Sequence, residues 1–350
     1  TATDWLRFSR TGDRAAYETL YFSRRRRLTD LVCSALTDPA GPRLDAILDT
    51  IWAVCEESAW QLPAHNSYIR DTSQLPWPDI KRPVVDLFAA ETGALLACAC
   101  AALDAVLPGP VQRRIFYEVE RRVLTPYLTT HFWWMGNGNE PMCNWTPWCT
   151  QNLLLCAFGL PFLQKERRAA VEQAARSLDC FLKDYGPDGC CSEGAQYYGH
   201  AGLCLFGCLE LLCAAAPGAF DRLWQEEKIK NIAAYIFHMH VDGPYYINFA
   251  DCSPFAGRRG AREFLFALRT DNEAMASFAA HDWLEALSAG DENSGSDGGS
   301  DGGPARINLW YQFLEARAAG QMAAGAQGPP PPAPDDIYYP SAGVFIARRG

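Results

Sequence analysis

The 350-residue chain lacks several features that would assign it to a class at once. It has no uninterrupted apolar run long enough to span a bilayer. No apolar leader follows Thr1, so such a segment is either absent or already removed. None of its 14 cysteines forms a CxxC pair, and the adjacent Cys190 and Cys191 suit neither an ordinary bridge nor a zinc knuckle. A fixed-period repeat is missing, which favours a ring of helical hairpins over a simple solenoid. Cations are in deficit: the net charge of −10 argues against nucleic acid and anionic membrane surfaces as partners. An anionic ligand stays open, because a local cluster of Arg and Asn can dominate inside a cleft.

What is present is the composition of a globular protein, 49% hydrophobic and 21% charged, in one large domain or two smaller ones. Aromatics reach 12%, and exposed Trp and Tyr are useful in sugar-binding clefts. The cysteines all lie between Cys33 and Cys252. Cys98, Cys100, Cys204, Cys208 and Cys213 sit among Leu and Ala, where a thiol behaves as a small hydrophobe. Buried, reduced cysteine favours a reducing compartment.

Helical spacing covers most of the first 320 residues. Stretches 14–36, 43–58, 83–106, 110–128, 146–159, 165–184, 193–215 and 222–240 are predicted as helices, with shorter ones near 260–286 and 305–319. The run Arg24 to Arg27 reads as a solvated face. Pro108-Gly109-Pro110, Gly186-Pro187 and Pro217-Gly218 mark joints. Residues 288–304 read as a flexible loop and 320–336 as a Pro-rich linker. Gly343 to Arg348 reads as one strand, and a lone strand has nothing to pair with. The expected class is therefore all-α, followed by the first strand of a truncated β-domain.

Chemistry-bearing residues gather in four places. These are Trp60 to Asn66, including His65; Asn137 to Trp148, including Asn139, Glu140, Asn144 and Trp145; Asp188 to His200; and Tyr245 to Asp251. Each has a plain structural alternative. Asn144 and Ser192 fit helix N-caps, His65 a satisfied histidine, and Tyr197 and Tyr198 half-buried core residues. Four such clusters at helix ends in one helical chain still point to a site assembled on a rigid rim.

The blocks Asn144-Trp-Thr-Pro-Trp-Cys-Thr-Gln-Asn152 and Asp188-Gly-x-x-Ser-Glu193-Gly-x-x-Tyr197-Tyr198 resemble the heparinase II/III-like polysaccharide lyases. Glu56 to His65, Asp86 to Thr92, Asn248 to Asp251 and the strand after Ala342 add to the likeness, which spans about residue 14 to the end. It implies an incomplete (α/α) toroid of helical hairpins over 1–325, a linker over 326–336, and the start of an antiparallel β-sandwich over 337–350. It further implies β-elimination at a uronic acid of a polysaccharide, glycosaminoglycan preferred. Removing the C5 proton beside an ionised carboxylate demands preorganised donors that neutralise it. By resemblance Asn144 supplies them. Tyr197 is the acid for the leaving oxygen and the base on one uronate epimer. His200 and Glu193 complete the catalytic candidates. His65, Asn66, Asn139, Trp145, Trp148, Gln196, Tyr198, Asn248 and Asp251 are expected to bind substrate, with Trp145, Trp148 and Tyr198 offering flat faces to sugar rings.

The chain departs from the family at Cys143, where several members carry a catalytic histidine; others take one from the β-sandwich. No metal ligand set is visible and no cofactor is expected in this chain; the resemblance puts a structural zinc or calcium in the β-domain. His238 and His240, two apart on an expected helix, point to different faces. The expected partner is an anionic polysaccharide, without nucleic acid or membrane. Arg70, Lys81, Arg82, Arg258 and Arg259 are loop cations for its carboxylates or sulfates, or ordinary solubilising surface. The expected location is a bacterial cytoplasm, with the periplasm or secretion as the alternative. Competing functions are an alginate lyase of the same family, a toroid glycoside hydrolase using Glu193 with Asp251 or Asp188, and a non-catalytic glycan-binding protein.

Overall fold

A computed structural model describes residues 1–38, 43–289, 307–328 and 331–349. The expected loop at 288–304 and the prolines at 329–330 lie almost wholly outside these. The described chain is mostly helical with two small two-stranded sheets. It falls into two compact units, Thr1–Cys180 with Arg306–Trp310, and Phe181–Ala305 with Tyr311–Gly350.

The first unit contains α1 (Ala2–Thr11), α2 (Ala15–Thr37), α3 (Leu44–Cys55), α4 (Leu87–Ala102), α5 (Gly109–Val119), α6 (Thr125–Thr129) and α7 (Trp145–Gly159). The sequence reading missed α1, a short helix that Thr1 and Asp4 close with a reciprocal capping box and Gly12 ends in the left-handed region. Between α5 and α6 a π-turn covers Glu120–Leu124, two residues before Pro126. Pro126 has no N–H and crowds the carbonyl one turn back, and the wider turn absorbs both. Helices α4 and α7 have no polar face and are buried almost throughout, Glu91, Gln151 and Asn152 included. Small residues let them close up: a Cβ on Gly93 would fall 2.8 Å from Cys156 Sγ, and one on Gly159 3.2 Å from Ala97 Cβ.

The expected solvated face at Arg24–Arg27 is wrong at its centre. Arg25 is fully buried, bonded through its two terminal nitrogens to Glu57 at 2.6 and 2.9 Å and through Nε to Thr92 Oγ1 at 2.9 Å. Its guanidinium lies over the Tyr21 ring, 3.2 Å from the centroid. An arginine can be buried only where carboxylate and carbonyl oxygens meet its fork of donors, and this position supplies them.

Helix α8 (Gln164–Asp184) carries the boundary between the units. The second unit then holds α9 (Gly202–Ala215), α10 (Glu227–Met239), α11 (Ala261–Arg269), α12 (Glu273–Ser288) and most of α13 (Leu309–Gly325). The single helix expected near 260–286 is two, because Asn272 caps α12 by accepting from the Met275 N–H at 3.0 Å. The stretch Tyr197–Ala215 passes the length and hydropathy test for crossing a membrane, but 78% of its apolar window is buried in protein. It is a core helix here.

Strands β1 (His240–Asp242) and β2 (Tyr245–Tyr246) form a bulged antiparallel pair, so His240 leaves the expected helix and begins a strand. The terminal strand is Val344–Ala347 (β4), and it is not alone. It pairs antiparallel with Asp336–Tyr339 (β3) through Tyr339↔Val344 to Asp336↔Ala347. The lone-strand argument for a missing partner therefore fails. Arg348 pins this hairpin to its unit by donating to the carbonyls of His238 and His240 at 2.8 and 2.9 Å.

Candidate functional site

In the first unit two of the four clusters come together. The turn Pro63–His65 presents His65 with Nδ1 2.8 Å from Asp86 Oδ2. Asp86 is fully buried and is the N-cap of α4: Oδ1 accepts from Ala89 N–H at 2.7 Å, and Oδ2 accepts from Leu62 N–H at 3.1 Å. With both carboxylate oxygens accepting, the His65 Nδ1–H is the donor, and the lone pair of the neutral ring lies on Nε2. The ring stacks on Phe88 at 9° and meets Trp145 edge-on, with centroids 4.8 Å apart in the latter pair. Trp145 in turn lies 5.0 Å from Trp133, over which Arg70 places its guanidinium at 4.7 Å. The result is a row running from a surface cation, through two half-buried indoles, to an oriented imidazole.

Asn144 stands in the N-cap position of α7 and is 5% exposed. Its backbone is already helical and its side chain makes no capping hydrogen bond, so capping does not explain it. Of three neighbours expected at the substrate, Trp148 and Asn66 are buried and bonded within the protein, and Asn139 is exposed. Trp148, three residues into α7, is 5% exposed, donates Nε1–H to Glu91 Oε1 at 2.8 Å and packs edge-on against Phe88. Asn66 is 1% exposed; it accepts from Gln61 and donates to the Leu75 and Trp77 carbonyls, tying down the following loop. Asn139 is exposed and its N–H is held by Asn137 Oδ1 at 2.9 Å in a local turn.

In the second unit the other two clusters meet. Gly194 has φ +89°, and a Cβ there would fall 2.6 Å from both Phe249 O and Cys252 Cβ. Glycine at this position therefore allows the 193–197 block to lie against the 248–252 loop. Gln196 fastens the same seam: its Oε1 accepts from Ser253 N–H at 3.0 Å, and its own N–H points at Cys252 Sγ at 3.3 Å. Glu193, Tyr197 and His200 are half-buried, while Asn248 and Asp251 are exposed.

The adjacent tyrosines separate completely. Tyr197 begins the 3₁₀ turn Tyr197–Gly199 and stays half-buried. Tyr198 is fully buried, its hydroxyl donating to Ala233 O at 3.3 Å. Burial pushes the Tyr198 phenol well above its ordinary value. Gly202 makes the room, since a Cβ there would fall 2.4 Å from the Tyr198 ring. The ring face expected for a sugar is thus covered by protein. Ser192 starts no helix, so its expected N-cap role also falls. Asp188 is committed to structure, with both oxygens accepting from Ser341 at 2.7 and 2.8 Å.

The loop cations differ in kind. Arg259 is fully buried and Arg258 is spent on Asp282 and Glu285, each at 2.6 Å, so neither is available to a polyanion. Arg82 lies over the Tyr68 ring at 3.9 Å, and Lys81 remains exposed. Among the described residues no group of three or more His, Cys, Asp and Glu side chains is arranged to hold a metal ion. Sequence reasoning missed Asp86 as the partner of His65, and Trp133 altogether. An N-cap aspartate ahead of an apolar run was the only local signal for Asp86.

Compared with known proteins, the chain matches no family model and no curated protein.

Proposed function

We propose that the chain is a polysaccharide lyase acting by β-elimination on uronate polymers, glycosaminoglycans before alginate. In this reading its helices belong to an incomplete (α/α) toroid and the β3–β4 hairpin to the start of a β-sandwich. The observation that carries the proposal is Asn144. An asparagine held nearly buried at the start of α7, next to the Trp145 ring that meets His65, supports a role in donating its amide to a substrate carboxylate. Neutralising that carboxylate is the central demand of C5 deprotonation, and a fixed donor meets it without reorganisation. Tyr197, half-buried beside its fully buried neighbour, is the acid for the leaving oxygen in this reading, and Glu193 and His200 assist. Trp145 offers the sugar an indole face in place of Trp148.

The test is a panel of hyaluronan, chondroitin, dermatan, heparan and alginate given to the complete protein. An unsaturated uronate, read by its new ultraviolet absorbance, supports the lyase. New reducing ends without that absorbance would show a hydrolase, and binding without cleavage a glycan-binding protein; either overturns the proposal. Asn144→Ala should slow turnover by about 10²–10³-fold, the loss typical of one transition-state donor. Tyr197→Phe should cost about 10²–10⁴-fold. If both variants keep full activity, these roles are wrong.

A further inference from the structure

With a net charge of −10, the chain attracts a polyanion through local, uncommitted cations. Among the loop cations, Arg258 and Arg259 are committed inside the second unit. Arg70, in the first unit, is different. Its side chain is 38% exposed, and among the described residues it makes no hydrogen bond. Its ion-pair partner, Asp71, holds Oδ2 3.6 Å from Nε and is itself 90% exposed, so water competes for the pair.

We infer that Arg70 reads a sulfate group on the sugar next to the uronate held at Asn144, and so sets a preference for sulfated glycosaminoglycans; this rests on the lyase reading above. The first unit alone supplies the parts. Arg70 lies over the Trp133 ring at 4.7 Å, and Trp133 lies 5.0 Å from Trp145, the residue after Asn144. Stacking on an indole holds the guanidinium by its face and leaves its edge, with a fork of N–H donors, to an anion. The backbone beneath it is held too. Ser67 Oγ and Thr72 Oγ1 lie 2.7 Å apart across the turn, Thr72 donates to the Ile69 carbonyl at 2.7 Å, and Asp71 takes a left-handed φ of 56°. Asn66 ties down the far side of the loop through the Leu75 and Trp77 carbonyls. Fixing the cation in advance lowers the ordering cost of binding an anion.

Sulfate is the anion that suits this placement. In a glycosaminoglycan uronates alternate with hexosamines, so the sugar beside the uronate being cleaved carries no carboxylate, and its anions are sulfate groups. Parallel N–H···O bonds from an arginine edge match two oxygens of a tetrahedral anion, as they do with phosphate. No bond is made or broken at Arg70. It contributes binding, and Asn144 keeps the uronate carboxylate.

The experiment compares kcat/KM on chondroitin sulfate and heparan sulfate with that on the same polymers after chemical desulfation. It uses the complete protein and its Arg70→Ala, Arg70→Lys and Arg168→Ala variants. The readout is the ratio of sulfated to desulfated kcat/KM, which a general loss of folded protein does not move. In the wild type this ratio should exceed one and fall as salt rises. Arg70→Ala should lower it by about 10–10²-fold, the worth of a charge-assisted hydrogen bond, mainly through KM. Arg70→Lys keeps the charge without the fork and should lower it less. Arg168→Ala removes one exposed positive charge from α8 and should leave the ratio as it is. A wild-type ratio of one or below, or a ratio unchanged in Arg70→Ala, overturns the inference while leaving the lyase standing. So does an equal fall in Arg168→Ala, which would assign the preference to overall charge, and so does a wild type that cleaves alginate alone. A wild type that yields no unsaturated product from any polymer removes the lyase reading and the inference with it.

Discussion

The two units hold their candidate residues by different means. In the first, side chains hold side chains: Asp86 grips His65, Glu91 grips Trp148, Gln61 grips Asn66, and Glu57 grips Arg25. In the second, main-chain groups carry more of the holding, although Asp188 still pairs with the Ser341 hydroxyl. Gly194 lets one loop lie on another, Gln196 and Tyr198 bond to main-chain groups, and Arg262 reaches the Gly199 carbonyl at 3.0 Å. Side-chain pairs in a dry interior fix angles tightly but fail badly when one partner is lost. Backbone seams tolerate side-chain change and fail when a Cβ is added.

The largest effect should come from breaking a pair in the first unit. Glu57→Ala leaves Arg25, with a side chain 1% exposed, as a buried charge without its carboxylate. Such a loss costs about 3–5 kcal/mol, to be read as a fall in denaturation midpoint at constant slope. The double variant Arg25→Met with Glu57→Gln should recover most of it, because a buried apolar isostere needs no partner. A Glu57→Ala protein as stable as wild type would show that Arg25 finds water.

Next in size is the seam of the second unit. Gly194→Ala adds a Cβ in the left-handed region against a carbonyl oxygen that belongs to backbone and cannot swing aside. We expect a loss of about 1–3 kcal/mol, with faster hydrogen exchange at 193–197 and 248–253. Gly12→Ala is the control in the first unit. Gly12 has φ +76° but nothing within 4 Å of an added Cβ, so it carries the conformational cost alone, about 1 kcal/mol. Equal losses at the two positions would mean that the close approach at Gly194 contributes nothing.

These contrasts explain what could be read from the sequence. The helices were legible because apolar runs and Pro-Gly joints are local signals, as at Pro108-Gly109 before α5. The candidate residue types were legible too, because Asn144, Tyr197 and His65 each stand in a block of polar and aromatic neighbours. What stayed hidden was which of two like residues turns inward. Trp145 and Trp148, or Tyr197 and Tyr198, have the same chemistry in sequence. Their exposure is decided by Glu91 and by the space above Gly202, 57 and 4 residues away in the pairs Trp148–Glu91 and Tyr198–Gly202. The His65–Asp86 pair spans 21 residues and the β3–β4 partner lies beyond a Pro-rich segment, so neither leaves a periodic trace.

The last effect, small near neutral pH and growing as pH falls, is a pH response that belongs to the second unit. Its hairpin rests on His238, whose Nδ1 lies 3.0 Å from the Tyr339 hydroxyl, and on Arg348 beside it. Burial, with the Arg348 charge adding to it, pushes the His238 imidazole down to about 4. An unfolded histidine titrates near about 6.5, so above that pH both states are neutral and the hairpin has its full stability. Between there and about 4 the unfolded segment binds a proton that the folded one refuses, and stability falls as pH falls. The slope is at most about 1.4 kcal/mol per pH unit, and the loss is complete below the folded value. Hydrogen exchange at Asp336–Tyr339 and Val344–Ala347 should therefore quicken, after correction for intrinsic rates, as pH falls through this window. His238→Asn, which cannot take up the proton, should flatten the response. A hairpin that loosens equally in wild type and His238→Asn would place the acid sensitivity in another group, and the backbone-held unit would then have no switch at this histidine.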